Sequence, residues 1–148
     1  MVISGVIKLS VLKENIEKVE SYLREKELVY TKSENILIVP YEIGDLVFNP
    51  QIEFHGKWMS VTACIIKSSN IPEAIRCDLY RELLLANNKL PEIQYDIDEE
   101  GNVNVSADMR IAITDFDNFF SEFFSVPYGI KYFVENIAPK FNLNIKGE

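Results

Sequence analysis

The chain has 148 residues, 47% hydrophobic and 26% charged, which predicts one domain over residues 1–148 with an ordered core at about 12–138. Its formal net charge of −8 argues against a nucleic-acid partner, because such affinity rests mainly on Lys and Arg that neutralise phosphates. No apolar run reaches the ~18 residues of a membrane span, and residues 1–12 lack a signal-peptide pattern, so we expect a cytoplasmic protein without membrane contact.

The first predicted element is an amphipathic helix at about residues 13–26. Apolar residues recur there at helical spacing, opposite a charged face: Leu12, Ile16, Val19 and Leu23. A β-rich stretch follows, with an apolar run at 36–39 and a second strand at 46–54 that Pro50 interrupts. A tight turn at 53–58 then leads into a third strand at 59–66, which is partly apolar on both faces.

The second half predicts two more helices and a clear hairpin. Pro72 suits a helix start, and the helix has an apolar stripe of Ile75, Leu79, Leu83 and Ala86 before Asn87 ends it. Two alternating segments flank an acidic turn at 98–102, and Thr114 then opens a third helix that Pro127 is expected to kink or break. The order α-β-β-β-α-β-β-α predicts an α+β fold, an antiparallel sheet of about five strands with three helices.

Candidate chemical sites are weak throughout the sequence. His55 is the only histidine and sits at a predicted turn, while the calcium-like pattern at 96–102 has Ala107 where a bidentate Glu is required. Cys64 and Cys77 lack the companions of a zinc site and are interpreted as reduced thiols. We therefore predict a non-enzyme with no catalytic residue, no cofactor and no metal, although a carboxylate pair assembled from distant positions stays an alternative.

The unusual feature is the aromatic content of residues 116–124. Five Phe lie there, on a helix face wider than the ~100° stripe that one core contact needs. Either this helix is sandwiched between sheet and helix, or it forms an interface with a subunit or peptide. Trp58, Thr62, Cys64 and Ile66 on the second face of the third strand could likewise belong to the core or to an interface. The predicted partner or dimer interface comprises Trp58, Thr62, Ile66, Phe116, Phe119, Phe120, Phe123 and Phe124.

Several segments resemble the YbjN family, proposed to contain sensory transduction regulators and sharing the fold of type III secretion chaperones. The segments are 56–61 (GKWMSV), 80–87 (YRELLLAN), 90–93 (LPEI) and 98–103 (DEEGNV), within a likeness over about 13–137. The resemblance implies a small acidic homodimer that holds partner polypeptides in extended form along helix and sheet grooves, and it brings no catalytic residue. The chain departs from the family in an insertion at 40–45 and at Pro127, and either can reshape a dimer contact.

The predicted function is therefore a protein-binding module of chaperone, adaptor or regulatory type that acts as a homodimer. Its partners would be a second copy of the chain and another polypeptide, and the acidic surface would favour basic segments. The alternative is a small-molecule sensor or enzyme that uses a pocket between the helices and the sheet.

Overall fold

The computed structural model describes residues 2–148, with side chains from Lys8 onward, so Met1 lies outside the described residues. Its three helices are α1 (Val2–Glu25), α2 (Arg76–Lys89) and α3 (Phe116–Tyr132). The strands are β1 (Thr31–Ser33), β2 (Ile36–Ile38), β3 (Tyr41–Ile43), β4 (Leu46–Phe48), β5 (Gln51–His55), β6 (Trp58–Ile66), β7 (Gln94–Ile97) and β8 (Val103–Arg110).

Six strands form one antiparallel sheet in the order β1-β2-β5-β6-β8-β7, and β3 pairs with β4 in a separate ribbon. The predicted α+β fold, with an antiparallel sheet and three helices, is confirmed. The described residues hold eight strands where about five were predicted, since the three-residue strands are too short to show alternation in sequence. Pro50 separates β4 from β5, so the predicted second strand is two strands of different sheets.

The core lies between one sheet face and the helices. In β6 the buried side chains of Met59, Val61 and Ala63 face the helices, whereas Ser60 and Thr62 on the second face stay half-buried. The helix α3 packs on β6 and β8, and α2 packs on β7. This arrangement leaves the β1 and β7 edges of the sheet without a neighbouring strand.

The helix α1 begins at Val2, eleven residues before the predicted start, and its predicted core positions Ile16, Val19 and Leu23 are buried. In α2 the predicted stripe is confirmed for Leu79, Leu83 and Ala86. Within the described part of the chain, no helix is long and apolar enough to cross a membrane.

The start and the course of α3 differ from the prediction. Asp115 caps the helix by accepting a hydrogen bond from Asn118 N at 2.8 Å, whereas the predicted cap Thr114 donates its hydroxyl to Arg110 O. Pro127 was expected to kink or break the helix, and the break is wrong, because α3 continues through it to Tyr132. Pro127 removes one helical hydrogen bond, but Val126 and Ile130 on either side are buried and hold the helix on the sheet.

Beyond α3 the chain makes a π-helical turn (Phe133–Ile137) and a 3₁₀ turn (Ala138–Phe141). Residues 142–148 then follow without regular secondary structure, and exposed residues alternate there with half-buried ones. Leu143 and Ile145 of this segment pack against the core, past the predicted end of the ordered core at 138.

Candidate partner-binding surfaces

Most of the Phe cluster, by which we mean the five Phe side chains within residues 116–124, lies in the core. Phe119, Phe120 and Phe123 are buried, and Phe119 and Phe120 meet edge to face with centroids 4.9 Å apart. The rings of Tyr22 of α1 and Phe116 have centroids 5.5 Å apart, so α3 contacts α1 as well as the sheet. The wide aromatic face is therefore explained in large part by burial on two sides.

A lysine covers part of the remaining aromatic surface. The ammonium of Lys26 lies 5.4 Å from the ring centre of Phe120 and 6.0 Å from that of Phe116. A cation over an aromatic face is attracted by the negative potential of the ring. Lys26 thus covers the end of the Phe cluster formed by Phe116 and Phe120.

Phe124 is the member of the cluster that stays open to solvent, with 40% of its surface exposed. It stacks on Phe120 and forms one wall of a shallow apolar groove, which we call the Phe124 groove. Tyr128, one turn further along α3, is also exposed. The groove is lined by Leu28, Val39, Pro40, Tyr41, Pro50, Phe123, Phe124 and Pro127.

Trp58 is 53% exposed at the start of β6, where it pairs with His55 and Arg110 on the neighbouring strands. Together with the exposed Ile113 it lines a cavity of about 330 Å³, which we call the Trp58 cavity. The other lining residues are Asp108, Met109, Arg110, Thr114, Asn118 and Glu122. This cavity and the Phe124 groove share no residue, so the structure does not bring the two exposed aromatic side chains into one pocket.

The last two predicted interface residues lie on the same strand as Trp58. Thr62 is half-buried on the second face of the sheet, opposite Gln51 and Ser106. Ile66 follows a β-bulge after Cys64 and is buried, because the extra residue turns its side chain into the core.

A third apolar surface was missed by the sequence analysis. Leu84 of α2 is 69% exposed and Ile97 of β7 is 47% exposed, and both line a groove of about 120 Å³. Tyr80, Leu83, Tyr95 and Asp96 complete this α2–β7 groove. The signal was present in the sequence, since three consecutive leucines at 83–85 cannot all face one side of a helix.

The β7 edge beside this groove is closed by a side chain. Asn87 accepts a hydrogen bond from Tyr95 N at 2.8 Å and donates one to Tyr95 O at 3.0 Å. These are the two groups that a further strand would use, and an amide that occupies them blocks strand addition.

The ionisable groups form no catalytic set that the geometry identifies. Burial raises the pKa of Glu122, and the nearby Glu92 carboxylate raises it further. The side-chain hydrogen bond from Asn102 lowers the pKa of Asp98 in the turn between β7 and β8. Among the described residues, no three His, Cys, Asp or Glu side chains converge on a position that could hold a metal ion.

The sequence matches no protein-family model and no curated protein. Solved structures similar to the chain include the three described next. YbjN from E. coli is 12% identical with a TM-score of 0.62, over 86% of this chain and 93% of that chain. The heterodimeric complex ExoU-SpcU from the type III secretion system of Pseudomonas aeruginosa matches with 14% identity and a TM-score of 0.59, over 80% and 97%.

The third is the Yersinia pestis type III secretion chaperone SycH in complex with a stable fragment of YscM2. The match has 13% identity and a TM-score of 0.51, over 79% of this chain and 97% of that chain. At such identities the likeness shows the fold alone. The predicted resemblance to YbjN and to type III secretion chaperones is therefore confirmed at the level of the fold.

Proposed function

We propose that the chain is a single-domain, non-enzymatic protein-binding module of chaperone or adaptor type, which acts in the cytoplasm as a homodimer. The fold supports this proposal, since two of the three similar structures are complexes that contain a second polypeptide.

The observation that carries the proposal is the set of apolar side chains that folding leaves exposed. Trp58, Leu84 and Phe124 stay in contact with water although the chain buries most of its other large apolar residues. Exposed apolar surface bordered by polar residues is typical of binding sites on soluble proteins. The proposed interface uses Trp58, Thr62 and Phe124 directly. Five residues behind them support it from the protein side: Ile66, Phe116, Phe119, Phe120 and Phe123.

The charged residues that line each surface indicate which partner, another polypeptide or a second copy of the chain, that surface would bind. Asp108 and Glu122 outnumber Arg110, the one basic residue that lines the Trp58 cavity, so a partner segment with basic side chains fits there. Two copies of an acidic chain repel each other, which favours a self-contact where few carboxylates lie. Asp96 is the single carboxylate that lines the α2–β7 groove, and Ser106 and Asn104 already donate hydrogen bonds to it. The lining of the Phe124 groove contains no carboxylate, so charge permits a self-contact at either groove. Because Leu84 is 69% exposed and Phe124 only 40%, we assign the homodimer contact to the α2–β7 groove.

A tagged pull-down from extract of the producing cells, followed by mass spectrometry after a moderate salt wash, tests the module. We expect one or a few stoichiometric polypeptides with the wild-type chain and their loss with Phe124→Ser or Trp58→Ser. Replacing one exposed aromatic anchor at an interface typically weakens binding by ~2 kcal/mol or more, which is over tenfold.

The matched control is Leu9→Ser, which removes from α1 an apolar side chain that is more exposed, at 68%, than Trp58 or Phe124. Recovery that is equal for all three variants would contradict the assigned surfaces. Recovery of the tagged protein alone would contradict the module itself and favour the small-molecule alternative, to be sought first at the Trp58 cavity.

A further inference from the structure

We propose that residues 142–148, here called the strap, occupy a groove that receives an extended segment of the partner polypeptide, so that the strap regulates binding by competing for it. The inference rests on the proposed function, because a groove of this kind has a role only in a protein that binds polypeptides.

The strap has no regular secondary structure, and burial alternates from residue to residue along it. Leu143, Ile145 and Gly147 are half-buried and alternate with the exposed Asn144 and Lys146. A period of two is the spacing of an extended segment with one side against a surface. Both apolar side chains pack against the core, so the groove already recognises apolar residues two positions apart.

The far end of the strap fits closely against the backbone of β4. Glu148 N donates a hydrogen bond to Val47 O at 2.7 Å. A Cβ on Gly147 would lie 2.6 Å from Val47 O, and the φ of Gly147 is +72°. Since only glycine allows this approach, the groove accepts the pattern apolar-x-apolar-x-Gly.

The strap is nevertheless held weakly. In the described part of the chain, the backbone groups of residues 144–147 make no backbone hydrogen bond. A cavity of about 200 Å³ remains between the strap and the end of β6, lined by residues that include Cys64 and Lys67. Segments with few hydrogen bonds and incomplete packing open locally at low free-energy cost. The strap contributes Asn144, Lys146, Gly147 and Glu148 to this lining, so a partner segment with larger side chains at the positions of Asn144 and Lys146 would fill the cavity and replace the strap.

Cys64 reports whether the strap is in place. The thiol is half-buried beside the strap, and burial raises its pKa, with a further contribution from the carboxylate of Glu148. The thiolate is the form that reacts with alkylating agents. Displacement of the strap would uncover the thiol and lower its pKa, so alkylation becomes faster.

The test uses the full chain in a Cys77→Ser background, with a labelled peptide of residues 141–148 (FNLNIKGE) as the probe. Ile145→Ser removes an inward side chain of the strap, and Asn144→Ser is the matched control for an outward one. We expect the peptide to bind Ile145→Ser about tenfold more tightly than the control, because the attached strap then competes less. Alkylation of Cys64 should accelerate about tenfold in Ile145→Ser, and saturating peptide should slow it again.

Circular dichroism checks that each variant is folded, and Gly147→Ala provides a second way to displace the strap, with the same expected results. Equal peptide affinity for Ile145→Ser, Gly147→Ala and the control would overturn the proposal. An alkylation rate of Cys64 in the strap variants that saturating peptide does not slow would overturn it as well. A variant whose mass rises with concentration above that of the wild type would overturn it too, in favour of strap exchange between copies. Neither readout involves the partner, so failure here leaves the pull-down result intact.

Discussion

At the scale of single residues, Asn87 shows how a side chain can end a sheet. Its amide bonds both backbone groups of Tyr95 and thereby takes the place of another strand. Unpaired strand edges promote association between chains, and native proteins commonly block them. Asn87 thus protects the β7 edge while the apolar groove beside it stays accessible.

Asn87→Ala should lower the free energy of unfolding by about 1–3 kcal/mol, because it leaves two backbone groups of Tyr95 without partners. The adjacent Asn88 is exposed, and Asn88→Ala should change stability by no more than ~0.5 kcal/mol. Urea unfolding followed by circular dichroism measures both. Equal effects of the two substitutions would show that the amide does not hold the strand edge.

Glu122 predicts a pH dependence of stability. Its pKa is raised in the folded protein, first by burial and then by Glu92, so the folded state binds its proton more tightly than the unfolded state. The contribution of Glu122 to stability is thus greatest below its unfolded pKa and is lost as the pH rises through its folded pKa. Glu122→Gln should be more stable than wild type at pH 7, with the advantage vanishing near pH 3.

Thermal unfolding at several pH values measures this difference, with Asp117→Asn at an exposed position of the same helix as the control. A Glu122→Gln advantage that stays constant from pH 3 to pH 7 would contradict the assigned cause.

At the scale of elements, α3 depends on close contact with the sheet. Gly129 brings the helix backbone against Val105 of β8, and its carbonyl accepts a hydrogen bond from the Tyr95 hydroxyl at 2.6 Å. From the sequence, Pro127 was expected to kink or break this helix. The helix continues because burial of its neighbours outweighs the one hydrogen bond that Pro127 removes.

Gly129→Ala should destabilise the protein by about 1–3 kcal/mol, because the new methyl group would lie 2.7 Å from Val105 Cγ2 and push the helix from the sheet. Ser121→Ala on the exposed side of α3 is the matched control, and helix propensity makes it neutral or slightly stabilising. Chemical unfolding distinguishes the two. If Gly129→Ala leaves the free energy of unfolding unchanged, the contact between α3 and β8 can relax without loss of stability.

At the scale of the whole molecule, the shape and the charge of the surface together determine where two copies of the chain can associate. The net charge of −8 disfavours self-association over most of the surface, whereas the α2–β7 groove offers apolar contact with a single, internally bonded carboxylate. The Trp58 cavity and the Phe124 groove remain for another polypeptide.

Light scattering should give twice the chain mass of 17.0 kDa for the wild type. Leu84→Asp should reduce the measured mass to that of one chain. At a symmetric self-contact, the new carboxylates of the two copies would be buried near each other. Leu9→Asp, on the exposed part of α1, should stay dimeric. A wild-type mass of one chain would exclude the homodimer, and a dimeric Leu84→Asp would exclude this surface.

The sequence by itself determined the helices, the longer strands and the fold class, because periodic burial appears directly in the order of residues, as in the stripe of Leu79, Leu83 and Ala86. It also marked the aromatic segment that includes Phe124. Tertiary structure alone decided that Phe119 and Phe123 are buried while Phe124 and Leu84 stay exposed, and that the strap covers Cys64. Exposure depends on which elements meet across the chain, and local sequence carries no information about contacts between distant segments.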